Sequence, residues 1–485
     1  MRSYKVIIIG SGFGGQCAAI NLLKQGITDF IILERRDFIG GTWCQNNYPG
    51  AAVDVQSPLY SLSFEPYPWT QMYAGRAELE QYTNLVIDKY QLRERIKTCC
   101  NVVSLEWCEQ QSVWEIHVEG RGLYRAQFII NASGPLSTPV IPNFKGKEKF
   151  EGKSFHTNDW DLDYDYSDKK VAIIGSGASA AQVIPEIAPD VDHLYVFQRS
   201  PHWVLPRPDW VFTDFQRKLL ALKWVHKVVR TSIYWVLEAR IIGFKYSRWV
   251  LNYIAGDKAK AFIRKQINDP QLQQQVTPDF TIGCKRVILS SALYPAYCRD
   301  NVSLFSKGQG IKEITKTSIC TEDDRDIKPD LIIYATGYDA TDGVISYPVL
   351  GKNKKSLGDF WRDYPRAYLG TTIPDFPNLF IVTGPNTGIG HTSAIFVIES
   401  QMLYIIKCIN STLKGGYKSI EVRADAEENY TRMIHAEMKK TVWETGGCNS
   451  WYKSKSGKVI AMFPGFSFSY RWLARRFKKN HHIFT

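Results

Sequence analysis

The sequence predicts an α/β fold with two similar units, because one pattern of buried strand, glycine turn and helix occurs in it twice. Residues 6–15 read VIIIGSGFGG and residues 171–180 read VAIIGSGASA. Each β-branched run is typical of a buried parallel strand, and the alanine- or isoleucine-rich stretch after each turn is typical of a helix. A second apolar strand follows in both copies, at 30–33 and at 194–197. We therefore expect two βαβ units in one chain.

Composition and charge exclude several classes of protein. A chain of 485 residues that is 44% hydrophobic can form a sizeable core, which excludes intrinsic disorder and coiled coil. The net charge of +12 favours anionic partners, namely phosphorylated cofactors, membrane surfaces or nucleic acid. The ten cysteines show no CxxC pair and no metal-ligand spacing, so we expect reduced thiols, no disulfide framework and no metal. The N-terminal apolar run is too short for a signal peptide, so we expect a cytoplasmic chain.

The residue that ends the second strand differs between the two units and indicates two different cofactors. Glu34 and Arg199 hold the same position relative to the glycine turns. A carboxylate there accepts hydrogen bonds from an adenosine ribose, whereas a guanidinium binds a 2′-phosphate. We therefore expect two Rossmann-like dinucleotide-binding domains, the first for FAD or NAD and the second for NADPH. The candidate contacts are Gly10, Gly12, Phe13, Gly14, Gly15 and Glu34 in the first, and Gly175, Gly177, Ala178, Ser179, Ala180, Arg199 and Ser200 in the second.

The order of the patterns predicts that the second domain is inserted in the first. From 203 to 280 the sequence becomes aromatic and basic, which indicates a helical insertion too interrupted by charge to cross a bilayer. Two apolar strands come late, at 330–337 and 379–383, and we expect late strands to complete the first sheet. The predicted boundaries are 1–145 and 336–485 for the FAD-binding domain, 146–202 and 281–335 for the NADP-binding domain, and 203–280 for the insertion.

Two longer motifs accompany the glycine turns. The first, Gly-Gly-x-Trp-x4-Tyr-Pro-Gly-x3-Asp, spans residues 40–54. Its glycines allow the backbone to approach a flat ring system, and it brings an aromatic side chain and a carboxylate beside that ring. The second, Phe-x-Gly-x3-His-x3-Trp-Asp, spans residues 150–161 on the link between the two domains, where a polar hinge would couple their movements. Its His156 has no cysteine or second histidine nearby, so we predict that it is not a metal ligand.

With these two motifs the chain resembles a known family, the type I Baeyer–Villiger monooxygenases within the wider flavin-containing monooxygenase group. The resemblance covers most of the chain, including 335–337 and 446–452, and is weakest in the insertion. It implies that Lys285 joins Arg199 at the 2′-phosphate of NADPH, and that Arg286 lies over the flavin with Asp54 as its paired carboxylate. It also implies that Trp451 belongs to a mobile loop that closes over bound nicotinamide. The remaining implied cofactor contacts are Thr42, Trp43, Thr336 and Gly337, with Asp54 itself.

The resemblance implies an FAD-dependent, NADPH-consuming monooxygenase. In such an enzyme a C4a-peroxyflavin forms in a water-excluding pocket and inserts one oxygen atom of O2 into a ketone, which gives an ester or lactone. Arg286 would stabilise the anionic peroxide, and Asp54 would hold the guanidinium in place. Sulfoxidation is an expected second activity. The expected partners are O2 and a small hydrophobic ketone or sulfide, with weak contact to a membrane surface and no nucleic acid, for a monomer or homodimer.

Several alternatives stay open from the sequence alone. A flavin-containing monooxygenase that hydroxylates nitrogen or sulfur uses the protonated peroxide and would need neither Arg286 nor Asp54. A disulfide reductase is disfavoured, because Cys99 and Cys100 lie outside the glycine motifs. From a different class, a non-catalytic flavoprotein or a membrane-surface binding protein would also fit the basic, aromatic tail at 471–479. For the insertion, we favour an amphipathic cover packed on a neighbouring domain over a membrane-surface helix or access funnel.

Overall fold

A computed structural model of the chain describes residues 2–339 and 345–485. Its strands, in chain order, are β1 (Arg2–Ile9), β2 (Phe30–Leu33), β3 (Ile96–Lys97), β4 (Val102–Cys108), β5 (Val113–Val118), β6 (Gly122–Asn131), β7 (Lys153–His156), β8 (Lys170–Ile174), β9 (His193–Phe197), β10 (Val204–Leu205), β11 (Ile288–Leu289), β12 (Val302–Phe305), β13 (Ile311–Ile314), β14 (Ile319–Thr321), β15 (Asp326–Ile327), β16 (Leu331–Tyr334), β17 (Val349–Leu350), β18 (Leu379–Ile381), β19 (Ile420–Val422) and β20 (His482–Phe484). Most of these strands join one of two larger sheets, each built around one glycine motif.

The helices connect and cover the sheets. In chain order they are α1 (Phe13–Lys24), α2 (Thr42–Gln45), α3 (Arg76–Lys89), α4 (Ala178–Ile187), α5 (Asp214–Leu220), α6 (Lys223–Glu238), α7 (Arg248–Leu251), α8 (Asp257–Gln266), α9 (Pro270–Val276), α10 (Leu293–Tyr297), α11 (Leu357–Phe360), α12 (Ala394–Lys414), α13 (Ala424–Met438), α14 (Val442–Thr445) and α15 (Ser467–Arg475). Both glycine turns are followed directly by a helix, α1 and α4, as the two βαβ units require.

The first glycine motif lies at the centre of a mixed sheet. Its strand order is β17-β4-β5-β6-β1-β2-β3, and β18 pairs with β6. β1 is parallel to β2 on one side and to β6 on the other, whereas β4, β5 and β6 form an antiparallel meander. Val6, Ile7 and Ile8 of β1 are fully buried, because helices or loops cover both faces of this strand.

The second glycine motif belongs to a sheet whose strands are all parallel. The order is β12-β9-β8-β16-β7, and each neighbouring pair is parallel. α4 leaves the end of β8 and returns the chain to β9, so the Gly175 turn lies at the carboxyl edge of the sheet. Ligands of open α/β sheets bind at this edge. The predicted α/β fold with two dinucleotide-binding units is confirmed.

The two late strands end in different sheets, which corrects part of the sequence prediction. β18 pairs with β6 and extends the first sheet, as expected. β16 lies between β8 and β7 in the second sheet, not in the first as we expected of a late strand. This placement agrees with the predicted boundary 281–335 of the NADP-binding domain. An apolar β-branched run indicates that a strand is buried, but not which strand lies beside it. The pattern alone therefore did not show which of the two sheets each late strand joins. The domain boundaries themselves stay a prediction.

The insertion is helical, as predicted, and α6 packs on the first unit. It contains α5 to α9 and two π-helical segments, Ile242–Tyr246 and Asn252–Gly256. The buried Arg230 of α6 donates from Nη1 to three backbone carbonyl oxygens, those of Pro58 at 3.0 Å, Leu59 at 2.9 Å and Ser61 at 2.7 Å. Its Nη2 lies 3.8 Å from Glu399 Oε2 of α12. A buried cation therefore fastens the insertion to the first unit.

Among the described residues, α12 is the one helix long and apolar enough to cross a membrane. However, 72% of its most apolar window is buried inside the protein. It packs against α1 and α15, so it is a core helix of this fold.

We predict that Arg230→Met destabilises the protein by about 3 kcal/mol, because it leaves the buried Glu399 without its cation and three carbonyl groups without a donor. Thermal unfolding should show a decrease of several degrees in Tm. Arg362→Met, which removes an exposed ion pair with Asp359, is the matched control and should change Tm by less than about one degree. An unchanged Tm for Arg230→Met would show that this contact does not hold the insertion.

Candidate active site

The first glycine turn packs so closely against neighbouring backbone that its residues cannot carry side chains. Gly10 has φ of +100°, and a Cβ there would lie 2.6 Å from the Ala132 carbonyl oxygen. A Cβ on Gly15 would lie 1.9 Å from the carbonyl oxygen of Gly10. Gly12 precedes α1, which no side chain caps, so the N–H groups of Phe13 and Gly14 are available to a pyrophosphate. This cradle fits the diphosphate of FAD.

Glu34 lies at the end of β2 beside this cradle. Its Oε2 accepts hydrogen bonds from the backbone N–H of Ser11 at 2.9 Å and from the Ser11 hydroxyl at 2.7 Å. Its Oε1 accepts from the backbone N–H of Arg36 at 3.1 Å. A carboxylate offers about four lone-pair positions, so one remains for a ribose hydroxyl. The arrangement is consistent with the predicted role of Glu34.

The second glycine turn has the same form and is more open. Gly175 has φ of +138°, and a Cβ there would lie 2.2 Å from the Ala335 carbonyl oxygen. Nothing lies within 4 Å of the Cβ position of Gly177, which precedes α4, and no side chain caps this helix. The N-terminus of α4, which begins with Ala178, Ser179 and Ala180, is therefore free to bind a second pyrophosphate.

Two cations without a carboxylate partner lie next to this turn. Lys285 Nζ donates to the Ser200 hydroxyl at 2.8 Å, and Ser200 follows the exposed Arg199 directly. Within the described residues neither Lys285 nor Arg199 has a carboxylate within ion-pair distance. Burial and then the charge of Arg199 lower the pKa of Lys285. A phosphate between the two side chains would offset both effects, because its negative charge favours the charged form of Lys285, so the pair fits the 2′-phosphate of NADPH.

The first long motif connects the two units. The Tyr48 hydroxyl donates to Gln182 Oε1 on α4 at 3.0 Å, and Gln182 Nε2 donates to the Ala52 carbonyl at 2.9 Å. A Cβ on Gly50 would lie 2.6 Å from the Gln182 carbonyl oxygen, so the glycine allows this close approach. The motif therefore carries interdomain contacts in addition to the predicted cofactor contacts.

Trp43 begins an aromatic cluster near the first turn. Thr42 and Trp43 start α2. Trp43 Nε1 donates to the Tyr60 hydroxyl at 3.3 Å, and the two rings meet edge to face with centroids 5.8 Å apart. The Phe13 ring lies 6.1 Å from that of Tyr60. The cluster gives the first site a rigid aromatic wall.

Asp54 and Arg286 form a bidentate ion pair. Arg286 Nε donates to Asp54 Oδ2 at 2.5 Å, and Nη2 donates to Oδ1. Half of the Arg286 side chain is exposed, and the pair lines a cavity of about 1220 Å³. The carboxylate of Asp54 raises the pKa of Arg286 further above its ordinary value. A permanent, oriented cation therefore faces the cavity at any working pH.

The second long motif lies where the chain crosses between the units. The buried His156 ends β7, and its Nδ1 accepts from the backbone N–H of Asn158 at 3.0 Å. The Tyr338 hydroxyl lies 3.0 Å from Asn158 Oδ1 and 3.0 Å from Asn46 Oδ1. Burial lowers the pKa of His156, and this residue is not among those that line the cavity. The motif therefore joins the crossing segments, as a hinge would.

Thr336 and Gly337 hold the two crossing segments side by side. The Thr336 hydroxyl donates to the Val140 carbonyl, and the Gly337 carbonyl accepts from the backbone N–H of Val140 at 3.0 Å. Gly337 has φ of +86° and follows β16 at the carboxyl edge of the second sheet. Neither residue lines the large cavity. The predicted cofactor contact of Thr336 and Gly337 would therefore be made at the carboxyl edge of the second sheet.

The loop that carries Trp451 is tied to the segment that carries Arg286. Cys284 and Cys448 form a disulfide with 6.0 Å between their Cα atoms, which corrects the expectation of reduced thiols throughout. The pair is 164 residues apart, so spacing along the sequence gave no signal for it. Trp451 lines the cavity beside the buried Tyr452, with ring centroids 4.6 Å apart. Neither cysteine of the bridge lines the cavity.

The insertion supplies much of the cavity wall, whereas the sequence analysis favoured an amphipathic cover over an access funnel. Its contributing side chains are mostly apolar and include Val236, Phe244, Leu251 and Ile254. The periodicity of α6 indicated a buried face, but no pattern showed which cavity its neighbours would enclose.

A buried polar cluster was also missed. His391 follows the turn after β18, and its Nε2 lies 3.3 Å from Oε2 of Glu238, the last residue of α6. Both side chains are almost completely buried, and the Ser467 hydroxyl of α15 donates to the same carboxylate. The cluster joins the insertion, the loop after β18 and α15. Only the Gly-rich spacing around His391 could have drawn attention to it.

Comparison with known proteins finds relatives that match this chain along nearly its whole length. A family profile described as pyridine nucleotide-disulphide oxidoreductase matches residues 7–222. A Baeyer–Villiger monooxygenase of Pseudomonas aeruginosa is 41% identical over 488 residues, covering 100% of this chain and 92% of the relative. A Baeyer–Villiger monooxygenase of Streptomyces coelicolor is 39% identical over 97% of this chain and 91% of the relative.

Solved structures share the fold along its full length. Cyclohexanone monooxygenase from Rhodococcus sp. Phi1 bound to NADP+ superposes with a TM-score of 0.90 at 27% identity, covering 100% of this chain and 99% of that one. OTEMO in complex with FAD and NADP superposes with a TM-score of 0.88 at 25% identity, covering 99% of both chains. Together with the two glycine cradles and the Asp54–Arg286 pair, these full-length similarities show that the chain belongs to the Baeyer–Villiger monooxygenase family.

Proposed function

We propose that this protein uses FAD, NADPH and O2 to convert a hydrophobic ketone into an ester or lactone. One oxygen atom of O2 enters the product, the other leaves as water, and NADPH supplies the two electrons. The observation that carries the proposal is the Asp54–Arg286 ion pair on the wall of the large cavity. Family membership and the two dinucleotide cradles support the choice of cofactors.

Bound FAD, reduced by NADPH, would supply the O2-activating chemistry at this site. Arg286 presents N–H groups and a permanent charge to the oxygen on which negative charge develops when the ketone carbonyl is attacked. Asp54 binds Nε and one Nη group, so the remaining N–H groups of the guanidinium stay available and correctly oriented. Arg286 therefore acts as the catalytic cation, and Asp54 as the residue that positions it.

The cavity supports a hydrophobic substrate. Its volume of about 1220 Å³ exceeds the usual range for one small-molecule site, about 300–1,000 Å³, so flavin, nicotinamide and substrate could share it. Phe244, Leu251 and Met462 are among the apolar side chains that would exclude water near Arg286. Sulfides, which are also small and apolar, are a second substrate class of the same proposal.

We also propose that the enzyme acts in the cytoplasm as a monomer or homodimer, with contact to a membrane surface. Exposed aromatic side chains on α6 and α15 support the membrane contact.

Arg286→Ala should decrease kcat/KM for ketone oxidation by about 100-fold or more, because the developing charge loses its cation. NADPH should still be consumed, with hydrogen peroxide released in place of ester. Product formation by gas chromatography, NADPH absorbance and a peroxide assay measure the three quantities on one sample. Arg240→Ala removes another cavity-lining guanidinium that makes no ion pair with Asp54, and it is the matched control.

Ketone oxidation at the normal rate in Arg286→Ala, with NADPH consumption intact, would contradict the proposed role of Arg286. Loss of ketone oxidation while sulfoxidation stays normal would support it, because oxygen transfer to sulfur does not require the anionic form. Labelled ester from ¹⁸O2 would establish that the inserted oxygen comes from O2.

Arg199→Ala and Lys285→Ala should each raise KM for NADPH by about tenfold or more, because each removes one charge-assisted contact to the 2′-phosphate. KM for NADH, which lacks that phosphate, should change little. Lys316→Ala, at an exposed lysine paired with Glu151, is the control. An equal change in KM for both coenzymes would mean that the two cations do not bind the 2′-phosphate.

A further inference from the structure

One side of the helical insertion exposes an unusual number of large apolar side chains. We define the insertion face as the exposed residues of α6, of the segment after it and of α15: Trp224, Val228, Trp235, Val236, Tyr246, Trp249, Tyr253, Ile254, Phe468 and Trp472. Trp224 is 69% exposed and Trp249 is 72% exposed. Single exposed apolar residues are ordinary on soluble proteins, but a contiguous patch of this kind marks an interaction site.

Ring contacts join the three segments of the insertion face through some of its residues. The Trp235 ring of α6 lies 6.0 Å from that of Phe468 on α15. Phe468 stacks at 4.9 Å on Phe466, which in turn lies 6.4 Å from Tyr246. Three separate segments of the chain therefore contribute to one surface.

The fold does not need this surface for its own packing. The opposite side of α6 is the buried one, and it carries Arg230, Tyr234 and Glu238 with their contacts to the first unit and α15. The favoured sequence interpretation, an amphipathic cover, describes that buried side. The exposed side is apolar as well, so α6 has a second apolar stripe, which stays largely open to solvent.

The charge around the insertion face is positive. Residues 215–249 contain eight Lys or Arg residues, of which Arg230 is buried against Glu399, and Arg217 and Lys245 pair with Asp214 and Glu437. The single acidic residue of this range, Glu238, is buried against His391. Residues 467–485 contain five Lys or Arg residues and no acidic residue. Exposed Lys223 and Lys227 lie on the same helix as Trp224 and Val228. Tryptophan and basic residues together are typical of a surface that binds anionic lipid.

The catalytic cavity reaches the same surface. Val236 and Ile254 belong to the insertion face, with 67% and 55% of their surface exposed, and both also line the cavity. Leu251 and Phe244 continue the apolar wall from there into the interior. The cavity lining that reaches the insertion face thus includes apolar side chains that a lipophilic molecule would contact.

We propose that the insertion face binds an anionic lipid bilayer, and that the cavity receives its ketone from that bilayer. The inference of lipid binding depends only on the insertion face, whereas the inference of ketone delivery rests on the proposed function. Substrates would then be ketones that partition into membranes, such as long-chain or polycyclic ones.

Lipid binding is tested by cosedimentation of the FAD-loaded enzyme with vesicles of phosphatidylcholine, with and without phosphatidylglycerol. We expect the enzyme to pellet with the phosphatidylglycerol vesicles at low salt and to be released as salt increases. The double variant Trp224→Ser/Trp249→Ser should decrease the vesicle-bound fraction about tenfold or more. Leu162→Ser is the control, because it changes a side chain that is 71% exposed but does not belong to the insertion face. This variant should bind vesicles as the original protein does.

Three results would overturn the proposal. The enzyme could stay in the supernatant with both vesicle types at low salt. The double variant could bind as well as the original protein. Light scattering could instead show that the original protein is a dimer and the double variant a monomer, while neither binds vesicles. The insertion face would then be a contact between copies of this chain.

Ketone delivery is tested with the same variants and two substrates. The double variant should lose most of its rate on a long-chain ketone held in vesicles and keep its rate on a water-soluble ketone. Equal rates on the vesicle-held ketone would overturn delivery from the bilayer. If the original protein oxidises no ketone at all, the proposed function fails, and the vesicle-binding result still stands by itself.

Discussion

The ion pair between Asp54 and Arg286 is the contact on which the chemistry of this fold depends. Arg286 is one of three consecutive residues that each bind a different part of the protein. Cys284 forms the disulfide to the loop of Trp451, Lys285 contacts Ser200 beside the second glycine turn, and Arg286 binds Asp54 of the first motif. A segment of three residues thus sets the relative positions of two cofactor sites and the loop between them.

The remaining structure holds this segment over one cavity. The first motif reaches the second unit through Tyr48 and Gln182, and the insertion is held by Arg230 against the first unit. Glu238 and His391 connect the end of α6 to the loop after β18. These contacts are polar and are buried or half-buried, so they fix orientation at a cost in desolvation, which is how a reactive site can be kept rigid.

Much of the fold and of the cofactor sites could be predicted from the sequence, because the patterns that indicate them lie within short stretches of the chain. The glycine turns, the Glu34 and Arg199 positions and the two long motifs lie within short stretches whose geometry follows from residue type. Contacts between distant stretches carried no such signal. Spacing did not indicate the Cys284–Cys448 bridge, the pairing of β16 with β8, or the part of the insertion that encloses the cavity. Those features depend on how the units pack, which no local pattern encodes.

A double-mutant cycle on Asp54 and Arg286 tests the central claim most directly. Asp54→Ala, Arg286→Ala and the double variant are compared by kcat/KM for one water-soluble ketone. If Asp54 acts only through Arg286, the double variant should be about as slow as Arg286→Ala alone, because the carboxylate has nothing left to position. Independent, additive losses would contradict the account and give each residue a separate role.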